Sequence, residues 1–129
     1  MNKVLIVDDD HDVLETLKTI LAEKGFQVYT VDNQDEIYDN ILAFKPKAIL
    51  LDVKLKGADG RNICQGLKSH YMTKEIPVIL FSADQKLKYT YKECLADDFI
   101  EKPVRLHKLV KRLKDYCYIP KGGSKQMTA

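Results

Sequence analysis

Five consecutive residues, Ala48-Ile49-Leu50-Leu51-Asp52, constrain the fold more than any other stretch of the chain. An unbroken apolar run of this length, following Pro46 and closing on a carboxylate before a charged loop, suits a central strand buried on both faces. Such strands belong to parallel sheets. Two further runs have the same form: Val4-Leu5-Ile6-Val7 leads into Asp8-Asp9-Asp10, and Val78-Ile79-Leu80-Phe81 leads into Ser82-Ala83. A shorter one, Asp98-Phe99-Ile100-Glu101, leads into Lys102-Pro103. In an open α/β sheet the ligand crevice lies just past the carboxyl ends of the strands. Parallel alignment of these four would gather carboxylates, a hydroxyl and an ammonium at one edge.

The intervening segments read as helices. Val13, Leu14, Leu17, Ile20 and Leu21 recur at helical spacing, with Asp10 or Asp12 as the cap and Gly25 as the stop. Phe26 to Val31 alternates like a strand. Asn33 and Glu36 form a capping-box-like start for a second helix, whose inner stripe is expected to be Ile37, Ile41 and Leu42 with Phe44 nearby. Residues 53–59 lack periodicity and read as a loop at the active edge, after which Asp59-Gly60 starts a third helix with Ile63, Cys64 and Leu67 inward. The fourth helix is thin, with Leu87, Tyr91 and Cys94 or Leu95 among lysines, whereas the last has a clear face of Leu106, Leu109, Val110, Leu113 and Tyr116. Strand and helix thus alternate five times, which implies right-handed βαβ units and a parallel sheet covered on both faces. The 129 residues allow one domain with an adequate core, expected over 1–118. Residues 119–129, with Gly122-Gly123-Ser124, read as a flexible tail or a truncated linker.

Charge narrows the function classes. A net charge of +2 with interspersed signs gives no argument for a nucleic-acid or membrane partner, and neither is expected. Lys108, Lys111, Arg112 and Lys114 read as the solvated face of the last helix. Cys64, Cys94 and Cys117 show no metal spacing, and no stretch resembles a signal peptide or a bilayer span. A cytoplasmic location is the expectation.

Asp8, Asp9 and Asp52 on neighbouring strand ends would crowd three negative charges into one crevice. A hard divalent cation resolves the repulsion, and carboxylate oxygens select Mg²⁺, which commonly shares its shell with phosphate. With Lys102 added, the site is near neutral until an anionic phosphoryl group arrives. Phosphoryl transfer needs mainly positioning and charge stabilisation, and a carboxylate can itself be the nucleophile. Ser82 could then donate to a phosphoryl oxygen. Singly these residues have plainer readings: Asp8 to Asp10 as a helix cap, Asp52 as a loop acid, Phe99 as core, and Asp97-Asp98 as turn residues. The chemistry rests on their joint placement.

Leu5-Ile6-Val7-Asp8-Asp9-Asp10, Leu50-Leu51-Asp52 with Val53 to Gly60, Ile79-Leu80-Phe81-Ser82-Ala83, and Ala96-Asp97-Asp98-Phe99-Ile100-Glu101-Lys102-Pro103 follow in an order that resembles the receiver domain of two-component response regulators. The resemblance implies a flavodoxin-like (βα)5 doubly wound sheet of strand order 2-1-3-4-5. It implies Asp52 as phosphoacceptor, Asp8 and Asp9 with the Lys54 backbone carbonyl as metal contacts, and Ser82 and Phe99 as the switch pair. Lys102 matches the family's lysine, and the bond to Pro103 is expected to be cis. The implied partners are a sensor histidine kinase or phosphotransfer protein and a downstream target or missing output domain. Signalling would run through the face of the fourth helix, fifth strand and fifth helix, a face also compatible with a phosphorylation-dependent homodimer.

Several positions depart from the family pattern. Lys56 replaces a common proline, which predicts a looser loop, and Leu95 replaces a glycine, which predicts strain if a left-handed turn persists. Val104 replaces a frequent phenylalanine, and Phe99 lacks a tyrosine hydroxyl. Two other readings stand beside the receiver. One is a haloacid-dehalogenase-like phosphatase with Asp8 as nucleophile, which leaves Asp52 unexplained. The other is a pseudo-receiver that binds partners without phosphorylation, which leaves the full set of acids unexplained.

Overall fold

The apolar runs pair side by side as a five-stranded sheet in the computed structural model, which describes residues 2–118. The tail expected at 119–129 lies outside the described residues. The elements are β1 (Lys3–Val7), α1 (His11–Glu23), β2 (Gln27–Val31), α2 (Ile37–Phe44), β3 (Ala48–Asp52), β4 (Lys54–Leu55), β5 (Ala58–Asp59), α3 (Gly60–Ser69), β6 (Val78–Ser82), α4 (Leu87–Thr90), β7 (Asp98–Glu101) and α5 (Leu106–Cys117). The large sheet is parallel throughout, in the order β2-β1-β3-β6-β7. Setting aside the short β4-β5 pair, this is the expected 2-1-3-4-5 arrangement.

Each central strand alternates between two cores. Leu5, Val7, Ile49, Leu51, Val78 and Leu80 pack with Ile37 and Ile41 of α2, Cys64 and Leu67 of α3, and Leu87 of α4. Val4, Ile6, Leu50, Ile79 and Phe81 pack with Leu14, Leu17 and Leu21 of α1 and with Leu109 and Leu113 of α5. Helices on both faces explain why β3 and β6 are buried at every position, and hence why their sequences show no alternation. Among the described residues, no helix is long and apolar enough to cross a membrane.

Local chemistry fixes the ends. Asp10 is the cap of α1, its carboxylate accepting from the backbone N–H groups of Asp12 and Val13, and Gly25 at φ +92° follows its end. Asn33 caps a short 3₁₀ turn (Gln34–Glu36) that runs into α2, so the box opens the turn rather than the helix itself. The inner face of α2 is Ile37, Ile41 and Phe44, while Leu42 is 53% exposed, contrary to the expected stripe. Residues 53–59 carry the antiparallel β4-β5 ladder where only a loop was expected. The fourth helix is a single turn followed by a 3₁₀ turn (Tyr91–Cys94), and its cap, Leu95, is left-handed at φ +69°.

The site's backing is set at Gly60, where α3 begins against the end of β3. Its N–H donates to the Val53 carbonyl at 2.7 Å. A side chain there would run into the Asp52 carbonyl oxygen and lie 2.8 Å from Val53 Cα, both backbone atoms that cannot rotate away. Gly60→Ala is therefore expected to cost about 1–3 kcal/mol, as overpacking does. A urea midpoint equal to that of the unsubstituted protein would show that α3 can slide off β3.

Candidate functional site

Parallel register carries the chemistry to one edge. Val7 pairs with Leu51, Asp52 with Phe81, and Ser82 with Glu101, so the residues at or just beyond these strand ends become neighbours. Asp8 and Asp52 are almost wholly buried, at 1% and 5% exposure, as is Ser82. Lys102 arrives from the last strand with its backbone N–H held by the Ser82 carbonyl at 2.9 Å. Its ammonium bridges the two acids, donating to Asp8 Oδ2 at 3.1 Å and Asp52 Oδ1 at 3.3 Å, and lies 4.5 Å from the centre of the Phe81 ring. The Lys102-Pro103 peptide bond is cis, as expected.

The remaining contacts arrange these carboxylates. Asp8 Oδ1 accepts the Asp10 N–H at 3.0 Å, and Asp52 Oδ1 accepts the Lys54 backbone N–H at 3.4 Å. Asp9 is exposed, but its Oδ2 accepts the backbone N–H of Lys56 at 2.8 Å. That bond ties residues 54–56 to the start of α1, so the loop is anchored where Lys56 had predicted looseness. Ser82 Oγ accepts the Asp84 N–H at 3.0 Å, leaving its own proton free to be donated. A cavity of about 250 Å³ opens beside Ser82, lined among others by Lys54, Asp59, Arg61 and Asp84. A larger open groove of about 880 Å³ runs along α5 past Lys24 and Lys111, away from the carboxylates.

Asp8, Asp9 and Asp52 each offer an oxygen, and these oxygens lie within 4.8 Å of one another. Three hard, anionic oxygens in a half-buried crevice fit Mg²⁺ or a similar ion, and no softer donor is among them. Burial raises the Asp52 carboxyl from 3.8 to about 6, with the Asp8 charge adding to the rise and Lys102 opposing it. For Lys102, burial works against the ammonium, but Asp52 and Asp8 together outweigh it and hold its pKa above the ordinary lysine value. The crevice thus holds more negative charge than its one lysine neutralises.

The other expected residues lie further out. Phe99, on β7, is partly buried against the core cluster that contains Leu87 and Cys94, rather than beside the carboxylates. Two acids read as turn residues prove structural. Asp97 accepts from Lys68 Nζ and from the Val78 N–H, both at 2.8 Å, while Asp98 receives two bonds of 2.7 Å from Arg112. Arg112 is consequently an ion-pair partner and not only part of a solvated face. No local signal could have revealed these pairs, because their partners lie 14 to 29 residues away. Asp8, the nucleophile of the phosphatase reading, has one oxygen on the Lys102 ammonium and the other on the Asp10 N–H.

The Asp52 carboxyl sits higher in the fold than in the unfolded chain. Its penalty is therefore absent below the unfolded pKa of 3.8, grows as pH rises from there, and is complete above about 6. In chelator, Asp52→Asn is expected to be the more stable protein near pH 7.5, by up to about 2 kcal/mol, with the gap closing towards pH 4.5. Melting curves across that range check it; a pH-independent gap would contradict the charge argument.

The chain's relatives carry the same arrangement of elements. A putative response regulator from Chloroflexus aurantiacus J-10-fl is 32% identical, with a TM-score of 0.84 over 92% of this chain and 98% of that one. The signal receiver domain of a signal transduction histidine kinase from Syntrophus aciditrophicus is 34% identical, with a TM-score of 0.78 over 95% and 97%. The BeF3-activated N-terminal receiver domain of Klebsiella pneumoniae RstA is 26% identical, with a TM-score of 0.82 over 92% and 100%. The family model for the response regulator receiver domain matches residues 4–114, from the first strand into the last helix. With both the fold and the sequence matched over nearly its whole described length, this chain belongs to the receiver domains of two-component response regulators.

Proposed function

We propose that the domain, spanning 1–118, accepts a phosphoryl group on Asp52 from the phosphohistidine of a sensor histidine kinase or phosphotransfer protein. The observation that carries the reading is the buried Asp8-Asp52 pair bridged by one lysine, with a serine hydroxyl one strand further along. Asp52 supplies the nucleophile: one carboxylate oxygen bonds to phosphorus as the phosphorus–nitrogen bond to the donor imidazole breaks, and the imidazole leaves with its electron pair. Asp8, Asp9, Asp52 and the Lys54 carbonyl are the groups that would hold Mg²⁺, which when bound neutralises charge on the phosphoryl oxygens.

The chain's own groups do the rest. Lys102 already lies against Asp52, where its ammonium can follow the negative charge onto a phosphoryl oxygen. Ser82 offers its hydroxyl proton from the neighbouring strand. A serine drawn toward the phosphoryl group vacates space that Phe99 can fill, and repacking of Phe99 carries the change to α4, β7 and α5. This is a shift between two populations biased by phosphate contacts, with the domain acting as a signalling element in the cytoplasm rather than as an enzyme with a turned-over substrate. An output domain, a separate target or a second copy would read that face.

Incubation with acetyl phosphate and Mg²⁺ is expected to add one phosphoryl mass, detected on the intact protein. The adduct should vanish without Mg²⁺ and in Asp52→Asn. Failure to label, in conditions that label another receiver, would favour a pseudo-receiver; an adduct retained by Asp52→Asn but lost in Asp8→Asn would restore the phosphatase reading.

A further inference from the structure

Asp9 differs from its two partners in the crevice. Asp8 and Asp52 are buried and locked by Lys102, so their oxygens are positioned before any ion arrives. Asp9 is exposed, and an exposed carboxylate on a free rotamer loses conformational freedom when it is recruited to a metal. Among the described residues its side chain has one hydrogen bond, from Lys56, 47 residues later, whose backbone N–H donates to Oδ2 at 2.8 Å. A carboxylate has two oxygens and about four acceptor positions, so a bond to Oδ2 leaves Oδ1 free for a cation.

Lys56 can make this contact because of where the chain puts it. The β4-β5 ladder pairs Lys54 with Asp59 and Leu55 with Ala58, which makes Lys56 and Gly57 the two residues of its turn. Gly57 has φ +76°, a conformation that suits glycine. The ladder continues directly from Asp52 and is fastened back by the Gly60 N–H on the Val53 carbonyl, so the turn is held at a fixed distance from the crevice. At this position the family commonly has proline, which has no N–H to give.

We propose that the Lys56 backbone N–H is a positioning group for the metal site, holding the Asp9 carboxylate over the crevice so that Mg²⁺ meets three preset acids instead of two. Groups that orient a metal ligand without touching the ion commonly set affinity tenfold or more. The lysine side chain takes no part; the backbone hydrogen does. The proposal rests on the reading of Asp8, Asp9 and Asp52 as a Mg²⁺ site.

Lys56→Pro and Lys56→Ala separate the backbone from the side chain. Proline deletes the N–H and is a residue the family accommodates here, whereas alanine keeps the N–H and removes only the ammonium. Mg²⁺ affinity of the full chain, read calorimetrically without any phosphodonor, is expected to fall about tenfold in Lys56→Pro and to stay within about twofold in Lys56→Ala. A second measurement needs no variant at Lys56: its amide should exchange slowly in the metal-free protein and become fast in Asp9→Ala. Equal affinities for all three proteins, tighter binding by Lys56→Pro, or a Lys56 amide indifferent to Asp9 would each overturn the proposal. If the unsubstituted chain binds no Mg²⁺ at all, the site reading falls and takes the proposal with it. If the unsubstituted and alanine proteins bind and the proline variant binds as well as they do, the proposal alone fails.

Discussion

Two carboxylates buried side by side, with a single ammonium between them, set the conditions for the rest of this molecule. Asp8 and Asp52 are almost out of solvent, and Lys102 reaches both. Breaking such a cluster by removing the cation would leave uncompensated buried charge, which is strongly destabilising. Every element that contributes to the pair must therefore stay in register. The parallel sheet does this by fixing three strand ends against one another, and the start of α3 closes the back of β3 so tightly that only glycine fits. The excess negative charge is a cost the fold carries in its metal-free form. That same excess makes the crevice receptive to a cation and then to an anion.

Much of the architecture could be read from the sequence because the core strands are buried on both sides. Uninterrupted apolar runs ending in Asp8, Asp52 and Ser82, with the shorter segment before Lys102, signalled both the parallel sheet and its chemical edge. Less could be read where local patterns are short. The β4 and β5 strands have two residues each, too few to display a period. Leu42 looked inward because it adjoins Ile41, yet on an eight-residue helix it falls off the stripe of Ile37, Ile41 and Phe44. The joint placement of acids, lysine and serine was legible as a pattern, but the bridging of Asp8 and Asp52 by one ammonium was not. Nor was the bond from Lys56 to Asp9, since backbone donors leave no trace in a residue's identity.

Departures from the family's usual residues acquire a physical meaning once their contacts are known. The absence of proline at Lys56 supplies a hydrogen-bond donor instead of loosening a loop. The leucine at position 95 does adopt the left-handed conformation that a glycine would adopt without cost, and it is half exposed, so it gains little from packing there. One departure adds a constraint and the other adds strain.

The strained leucine terminates a thinly packed stretch, a single helical turn and a 3₁₀ turn with only Leu87 and Cys94 buried. Directly after it, β7 is anchored by Asp97 to Lys68 and Val78 and by Asp98 to Arg112. A soft segment between firm anchorages behaves like a hinge plate: its internal cohesion is small, so the free-energy gap between alternative shapes is also small. Under the proposed phosphorylation of Asp52, hydrogen bonds to the phosphoryl group would act on a segment whose own cohesion is small.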